Sequence, residues 1–307
     1  MSISSVGIAG AGFMGSGIAE SLATGNKRVV VYEPEDAPLQ RSSESVEASV
    51  QRAVARGNVR REEAASILAR IRYTTDFADL RATDAVIEAI SEEPVLKREL
   101  FARLDEELPD VKFLASNTSS IPLAELAAST TRPGRVLGLH FFSPVPVMKL
   151  VEIVVALQTS EEAIACAEQL VLDTGKYPVR TKDRSGFIVN MLLVPYLMAA
   201  VRMYEEGFAT REDIDTGMRL GCGHPMGPLA LCDLIGLDVL YAVCNSLYEE
   251  FRRPEYAPPA LLKRMVTAGH HGRKTGLGFY EYASTEAIAV PVGALTPHRD
   301  HALSPST

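Results

Sequence analysis

Cysteine is scarce, with four in 307 residues, at positions 166, 222, 232 and 244. No two make a C-x-x-C pair or a metal-ligand spacing, so no metal site is expected and the thiols read as reduced, in a cytoplasmic protein. Positive charge is also short: 31 Lys+Arg face 39 Asp+Glu, for a net charge of −8. That balance argues against nucleic acid or an acidic membrane surface as the main partner, and an anionic substrate would need a local basic patch. Long apolar runs are missing. Met191–Val201 stops well short of the ~20 residues that span a bilayer, and Pro195 interrupts it. Met1–Ser5 lead straight into an apolar run without a basic n-region, so no secretory signal is expected. What is present, 47% apolar and 23% charged residues, suits a globular chain of one large or two medium domains.

From Ser5 to Lys182, short β-branched runs (VGIAG, RVVVY, AVIEAI, VKFLAS) alternate with helix-period segments, and RVLGLH, LVEIVV and YPVRT add strands after them. This rhythm predicts βαβ units in an α/β, Rossmann-like, doubly wound and mostly parallel sheet of about eight strands. Two helices in succession, Ala37–Arg56 and Arg61–Arg70, predict a projecting helix pair. After Asp183-Arg184-Ser185-Gly186 the strand alternation stops. Helical runs follow at Phe187–Glu206, Arg211–Leu220, Leu229–Glu250 and Pro259–Ala268. The expected division is therefore a dinucleotide-binding domain over 1–183, an all-helical domain over 184–282 and an irregular tail over 283–307.

Gly10, Gly12 and Gly15 form a G-x-G-x-x-G directly after the first strand and before a helix. Glycines there permit a tight turn and close backbone approach, so that a pyrophosphate rests on the helix N-terminal amides. The next strand ends in Glu33, placed to accept hydrogen bonds from the adenine ribose. The same acid would repel a 2′-phosphate, so the cofactor is expected to be NAD rather than NADP. The plainer reading of Glu33 is a solvated strand end.

LGLHFFSPVPVMKLVEIV places His140 at the carboxyl end of a strand, where ligands bind in open α/β sheets. A rigid apolar turn would bring Glu152 back beside it on the following strand. A carboxylate on one imidazole nitrogen fixes the tautomer and leaves the other nitrogen to exchange a proton with an alcohol. The remaining histidines lie in turns, between helices or in the tail.

With these residues stand ASNTSS at 115–120, DRSGFIVNMLLVPY at 183–196, HPMGPLALCDLIGLD at 224–238 and GRKTGLGFYEY at 272–282. Together the motifs resemble the L-3-hydroxyacyl-CoA dehydrogenases, over about residues 4–282. The resemblance implies an NAD-dependent oxidoreductase that interconverts (S)-3-hydroxyacyl-CoA and 3-oxoacyl-CoA and dimerises through its helical domain. It further implies His140 as acid/base, Glu152 as its partner, Ser119 and Asn190 as substrate-contacting residues, and Glu92 and Lys97 at the cofactor. No hydratase-like segment accompanies the motifs, so a free-standing enzyme for short acyl groups such as 3-hydroxybutyryl-CoA is expected. Ser143 stands where the family usually has asparagine, which puts its substrate contact in doubt.

By themselves Asn117–Ser120 read as a capping turn and Asn190 as an ordinary helix residue. Lys274 reads either as a contact to the anionic part of the substrate or as part of a Gly-rich turn. Arg52 and Arg56, with Arg60 and Arg61, form either a patch for the phosphates of CoA or a solvated face with Glu62 and Glu63. Two other functions share parts of this plan: a sugar-acid dehydrogenase, against which HFFSPVPVMKLVE argues, and a NAD-binding structural protein without chemistry, which the intact His140, Glu152, Ser119 and Asn190 disfavour.

Overall fold

The computed structural model describes residues 3–283. Apart from its first residue, the tail expected over 283–307 lies outside that range. The chain divides into two compact units, one ending at Phe187 and the other beginning at Ile188.

The first unit runs β1 (Ser5–Ala9), α1 (Phe13–Thr24), β2 (Arg28–Tyr32), α2 (Asp36–Ala55), α3 (Arg61–Ala69), β3 (Ile71–Thr74), β4 (Ala85–Glu88), α4 (Pro94–Glu107), β5 (Leu114–Ser116), α5 (Leu123–Ala128), β6 (Val136–Phe141), β7 (Leu150–Val155), α6 (Glu161–Asp173) and β8 (Tyr177–Lys182). These strands form an eight-stranded sheet in the order β3-β2-β1-β4-β5-β6-β7-β8. Strands β1 to β6 pair parallel, β7 pairs antiparallel to β6, and β8 pairs parallel to β7. Helices cover both faces of a parallel sheet, so its central strands are apolar throughout: every residue of β1, β4 and β6 is buried. Along β6 and β7 alternate side chains point to opposite faces. Leu137, Leu139, Val151 and Ile153 join one core with residues of α1, α2, α3 and α6. Val136 and Val154 join the other with Phe101 of α4, Leu123 of α5 and Phe187. Each fully buried Leu, Ile or Phe there contributes about 1.5–3 kcal/mol relative to exposure.

The helix pair leaves after β2 and returns into β3, a strand that the sequence reading did not locate. Its four residues, IRYT, are too few for two-residue alternation to stand out. Leu39, Val46 and Val50 of α2 and Ala64 and Ile67 of α3 belong to the first core, while Gln51, Arg52 and Ala55 near the end of α2 are exposed.

The second unit contains α7 (Val189–Glu205), α8 (Arg211–Cys222), α9 (Pro228–Ile235), α10 (Leu237–Phe251) and α11 (Ala260–Thr267). The single helix expected over Leu229–Glu250 is two helices, bent by 96°. Gly236 makes the break, with φ 101° and ψ 122°, outside the helical region. Among the described residues no single helix is long and apolar enough to cross a membrane; α9 and α10 reach that length and composition only together, across the bend.

Two buried carboxylates tie this unit together. Asp215 accepts the amides of Leu229 and Ala230 at 2.8 and 2.9 Å, opening α9, and the Tyr280 hydroxyl at 3.0 Å. Asp233 accepts the amides of Phe279 and Tyr280 at 2.9 Å and the Tyr282 hydroxyl at 3.0 Å. Burial pushes the Asp233 carboxyl up to about 6, against the pull of those donors. Gly278 is required there, because a Cβ would lie 2.0 Å from Asp233 Oδ1.

Candidate active site

The strand order reverses at β1, which has β2 on one side and β4 on the other. Such a switch point opens a crevice beyond the carboxyl ends of the strands, and the glycine loop lies there. Each glycine has its own reason. Gly10 has φ 114°, and a Cβ would lie 2.5 Å from the Ala89 carbonyl oxygen across the crevice. A Cβ on Gly15 would lie 2.0 Å from the Gly10 carbonyl oxygen, so the helix could not close on its own loop. Around Gly12, the N-cap of α1, a Cβ would meet nothing within 4 Å. No side chain caps the first-turn amides of α1, which leaves the open space over Gly12 suited to a pyrophosphate. Glu33 Oε2 accepts the Ala11 amide at 3.0 Å, which holds its carboxylate beside the loop.

His140 and Glu152 are direct partners in the β6–β7 ladder, so both side chains stand on one face. His140 Nδ1 and Glu152 Oε2 are 2.7 Å apart, with the imidazole 7% exposed and the carboxylate fully buried. Phe142 and Phe187 flank the imidazole edge-on, at centroid distances of 4.6 and 5.3 Å. Phe187 reaches it from a backbone with φ 47°, which a bulky side chain adopts only under constraint. The ring is thus fixed from three sides. Asn117 steadies the strand end, its Oδ1 accepting the Phe141 amide at 2.9 Å. With Nδ1 facing Glu152, Nε2 is the nitrogen left to exchange a proton.

Sequence reasoning missed Glu88. This fully buried carboxylate ends β4, where Oε1 accepts the Lys97 ammonium at 2.6 Å and the Ile90 amide at 2.7 Å, and Oε2 accepts the Ser116 hydroxyl at 2.6 Å. Lys97 is 1% exposed and also bonds Glu92 Oε2 at 3.0 Å. Glu92 Oε1 takes the Thr118 hydroxyl, the Ser119 amide at 3.1 Å and the Ser120 hydroxyl at 2.9 Å. Burial alone would raise the Glu92 carboxyl, yet the Lys97 charge and the two hydroxyls hold it below the ordinary glutamate value. Lys97 therefore anchors Glu92, and Glu92 reaches the exposed rim. The signal was an acid inside AVIEAI with a lysine nine residues on.

Ser119 is half-buried in the loop after β5, with its backbone on Glu92. The Ser/Thr run does not cap α5: Asp183 accepts the Leu123 and Ala124 amides at 2.9 and 2.8 Å. Asn190 belongs to the helical unit, in the first turn of α7. Lys274 of that unit pairs with Asp238 at 2.6 Å. Ser143 is exposed on the turn between β6 and β7. Arg52, Arg56 and Arg61 are exposed, and Arg60 pairs with Glu62 and Glu63.

Comparison with known proteins matches residues 5–184 to the model of the 3-hydroxyacyl-CoA dehydrogenase NAD binding domain and residues 186–282 to that of the 3-hydroxyacyl-CoA dehydrogenase C-terminal domain. A 3-hydroxybutyryl-CoA dehydrogenase of Mycobacterium tuberculosis is 50% identical over 282 residues, covering 91% of this chain and 99% of that one. The mitochondrial hydroxyacyl-coenzyme A dehydrogenase of Sus scrofa is 42% identical, covering 90% of each chain. Among solved structures, FadB2 of M. tuberculosis superposes with a TM-score of 0.90 at 50% identity, covering 92% of this chain and all of that one. The (S)-3-hydroxybutyryl-CoA dehydrogenase of Ralstonia eutropha does so with a TM-score of 0.85 at 46% identity, covering 92% and 99%. A glycine loop at the switch point, a buried His–Glu pair and family models spanning both units lead to one conclusion: the chain belongs to the 3-hydroxyacyl-CoA dehydrogenase family, whose cofactor is NAD.

Proposed function

We propose that this chain interconverts (S)-3-hydroxyacyl-CoA and 3-oxoacyl-CoA, acts best on the 3-hydroxybutyryl-CoA and acetoacetyl-CoA pair, and uses His140 as its acid/base. The buried His140–Glu152 pair at the carboxyl edge of the sheet carries this reading. The names of the M. tuberculosis and R. eutropha relatives support the substrate class. NAD, when bound, takes up or returns the hydride at C3 of the substrate. In oxidation, His140 Nε2 takes the 3-hydroxyl proton while Nδ1–H stays on Glu152; in reduction, the imidazolium gives the proton back. Ser119 is assigned to hydrogen-bond the reacting oxygen, and Asn190 to polarise the substrate carbonyl. We assign Glu92 to the cofactor, with Lys97 behind it, and the exposed Arg52 and Arg56 to the phosphates of CoA.

The test is reduction of acetoacetyl-CoA, followed by a chain-length series. C4 is expected to be the best substrate, and a higher kcat/KM for C10 would overturn the assignment. With Glu33 held beside the loop, NADH is expected to outperform NADPH at least about tenfold in kcat/KM, or ~1.4 kcal/mol. Equal use of both would remove Glu33 from the recognition of the ribose.

The protein works as a cytoplasmic homodimer, joined through its helical unit. None of the four cysteines is in a disulfide, in keeping with a reducing compartment. Leu192, Phe208, Leu220 and Leu234 of the helical unit are each at least half exposed, apolar surface that a partner subunit would cover. Light scattering is expected to report twice the 33.2 kDa chain mass; monomer alone at micromolar concentration would refute it.

A further inference from the structure

Lys176 is the loop residue immediately before β8, 6% exposed, and neither the proton transfer nor cofactor binding uses it. Its ammonium donates to the Val145 carbonyl at 2.6 Å and to the Met148 carbonyl at 2.8 Å. Both carbonyls belong to the turn that joins β6 to β7, and hence His140 to Glu152. The next residue closes the far end of that turn, the Tyr177 amide donating to the Lys149 carbonyl at 2.6 Å. From the other side the turn rests on α1. Val145 is 2% exposed and fills a notch over Gly17, where a Cβ would lie 2.9 Å from Val145 Cβ. One turn farther along α1, the buried Glu20 bonds the Ser49 hydroxyl of α2 at 3.0 Å.

We propose that Lys176 is a positioning residue for the reaction: by holding the Val145 and Met148 carbonyls while Val145 rests on Gly17 of α1, it sets the place of His140 relative to the cofactor-binding helix. The physical need is plain. His140 lies at the end of one strand and the glycine loop at the start of a helix three strands away in the sheet. Ladder hydrogen bonds fix the ring relative to Glu152, but not the turn relative to α1. The residues of the turn at 143, 144, 146, 147, 148 and 149 are exposed, so Val145 is its one fully buried anchor on α1. An ammonium is suited to this task, because one group with three N–H donors can hold two carbonyls at once. Burial pushes the Lys176 ammonium below the ordinary lysine value, and the charge of Glu20 offsets part of that. Glu20 is displaced upward by its own burial, an effect reduced by Ser49, Arg52 and Lys176. A lysine serving only as a solubilising charge would sit in water.

This proposal rests on the assignment of His140 as acid/base, and the experiment separates the two. Wild type, Lys176→Met, Lys176→Arg, Gly17→Ala and His140→Gln are compared for kcat and KM in acetoacetyl-CoA reduction, for NADH affinity by direct titration, and for Tm. Lys176→Met is expected to lower kcat about 10²-fold, the scale of an ångström-sized misplacement, with NADH affinity within about threefold of wild type. Lys176→Arg, which keeps the donors, is expected to recover to within about tenfold of wild type. A Lys176→Met kcat within about threefold of wild type overturns the proposal. So does a common fall of kcat, NADH affinity and Tm in which arginine rescues none, since that marks a merely structural lysine. Should the methionine variant not fold, Gly17→Ala decides, because it presses the same turn off α1 while raising helix propensity. It is expected to lower kcat at least about tenfold, and unchanged kcat overturns the proposal. If His140→Gln is as active as wild type, or wild type itself is inactive, the His140 assignment fails instead, whatever Lys176 does.

Discussion

Replacing His140 by glutamine lowers kcat for acetoacetyl-CoA reduction by about 10²–10⁴-fold, the range spanned by a positioned acid/base. Glutamine keeps a polar group of similar reach but has no ionisable nitrogen, so it can hydrogen-bond the carbonyl oxygen without delivering a proton. NADH titration is expected to remain near wild type, since the glycine loop and Glu33 are untouched. Glu152→Gln follows it with a loss of about 10²-fold. The amide keeps the shape, but it no longer stabilises an imidazolium, and its NH₂ can turn toward Nδ1, selecting the wrong tautomer. Full activity in the Glu152 variant would reduce the pair to a structural contact, and full activity in the His140 variant would move the proton transfer elsewhere.

The second large effect is on stability. Lys97→Met is expected to destabilise the protein by about 3–5 kcal/mol in chemical denaturation, because it strands the Glu88 carboxylate inside the protein without its cation. Lys97 is 1% exposed and Glu88 is fully buried, so water cannot compensate for the lost partner. Adding Glu88→Gln to Lys97→Met removes the stranded charge and is expected to recover part of the loss. A Lys97→Met protein within about 1 kcal/mol of wild type would show that this site hydrates readily. Losing the anchor also loosens Glu92, so NADH affinity is expected to drop with stability.

The central relations of the site were legible because they follow from short-range geometry. Strand periodicity and the turn between them were enough to bring His140 opposite Glu152, and the glycine spacing read directly as a phosphate loop. Glu88 was not legible, since its meaning depends on a lysine from the next helix turning inward, and a lysine on an amphipathic helix reads as solvated. Lys176 hid in the same way, just before an edge strand whose neighbours Tyr177, Arg180 and Lys182 are exposed. Gly236 was obscured by continuous apolar character on both sides: the helix period carries across the break, and only the backbone angle at one residue ends it. The capping of α5 by Asp183 could not be read either, because the donors and the acceptor are about sixty residues apart.

The bonds from Asp233 to residues 279–282 also bear on the order in which the helical unit is completed during synthesis. Until Phe279, Tyr280 and Tyr282 have emerged from the ribosome, the Asp233 carboxylate in the last turn of α9 has none of these three donors. Asp215, on the preceding helix, likewise lacks the Tyr280 hydroxyl until then. A nascent chain halted before Phe279 would have to bury both acids short of partners, so its helices gain little by closing early. Final consolidation of this unit is thus coupled to the arrival of its last dozen described residues, and premature termination there leaves a product exposed to proteolysis rather than a slightly shortened enzyme.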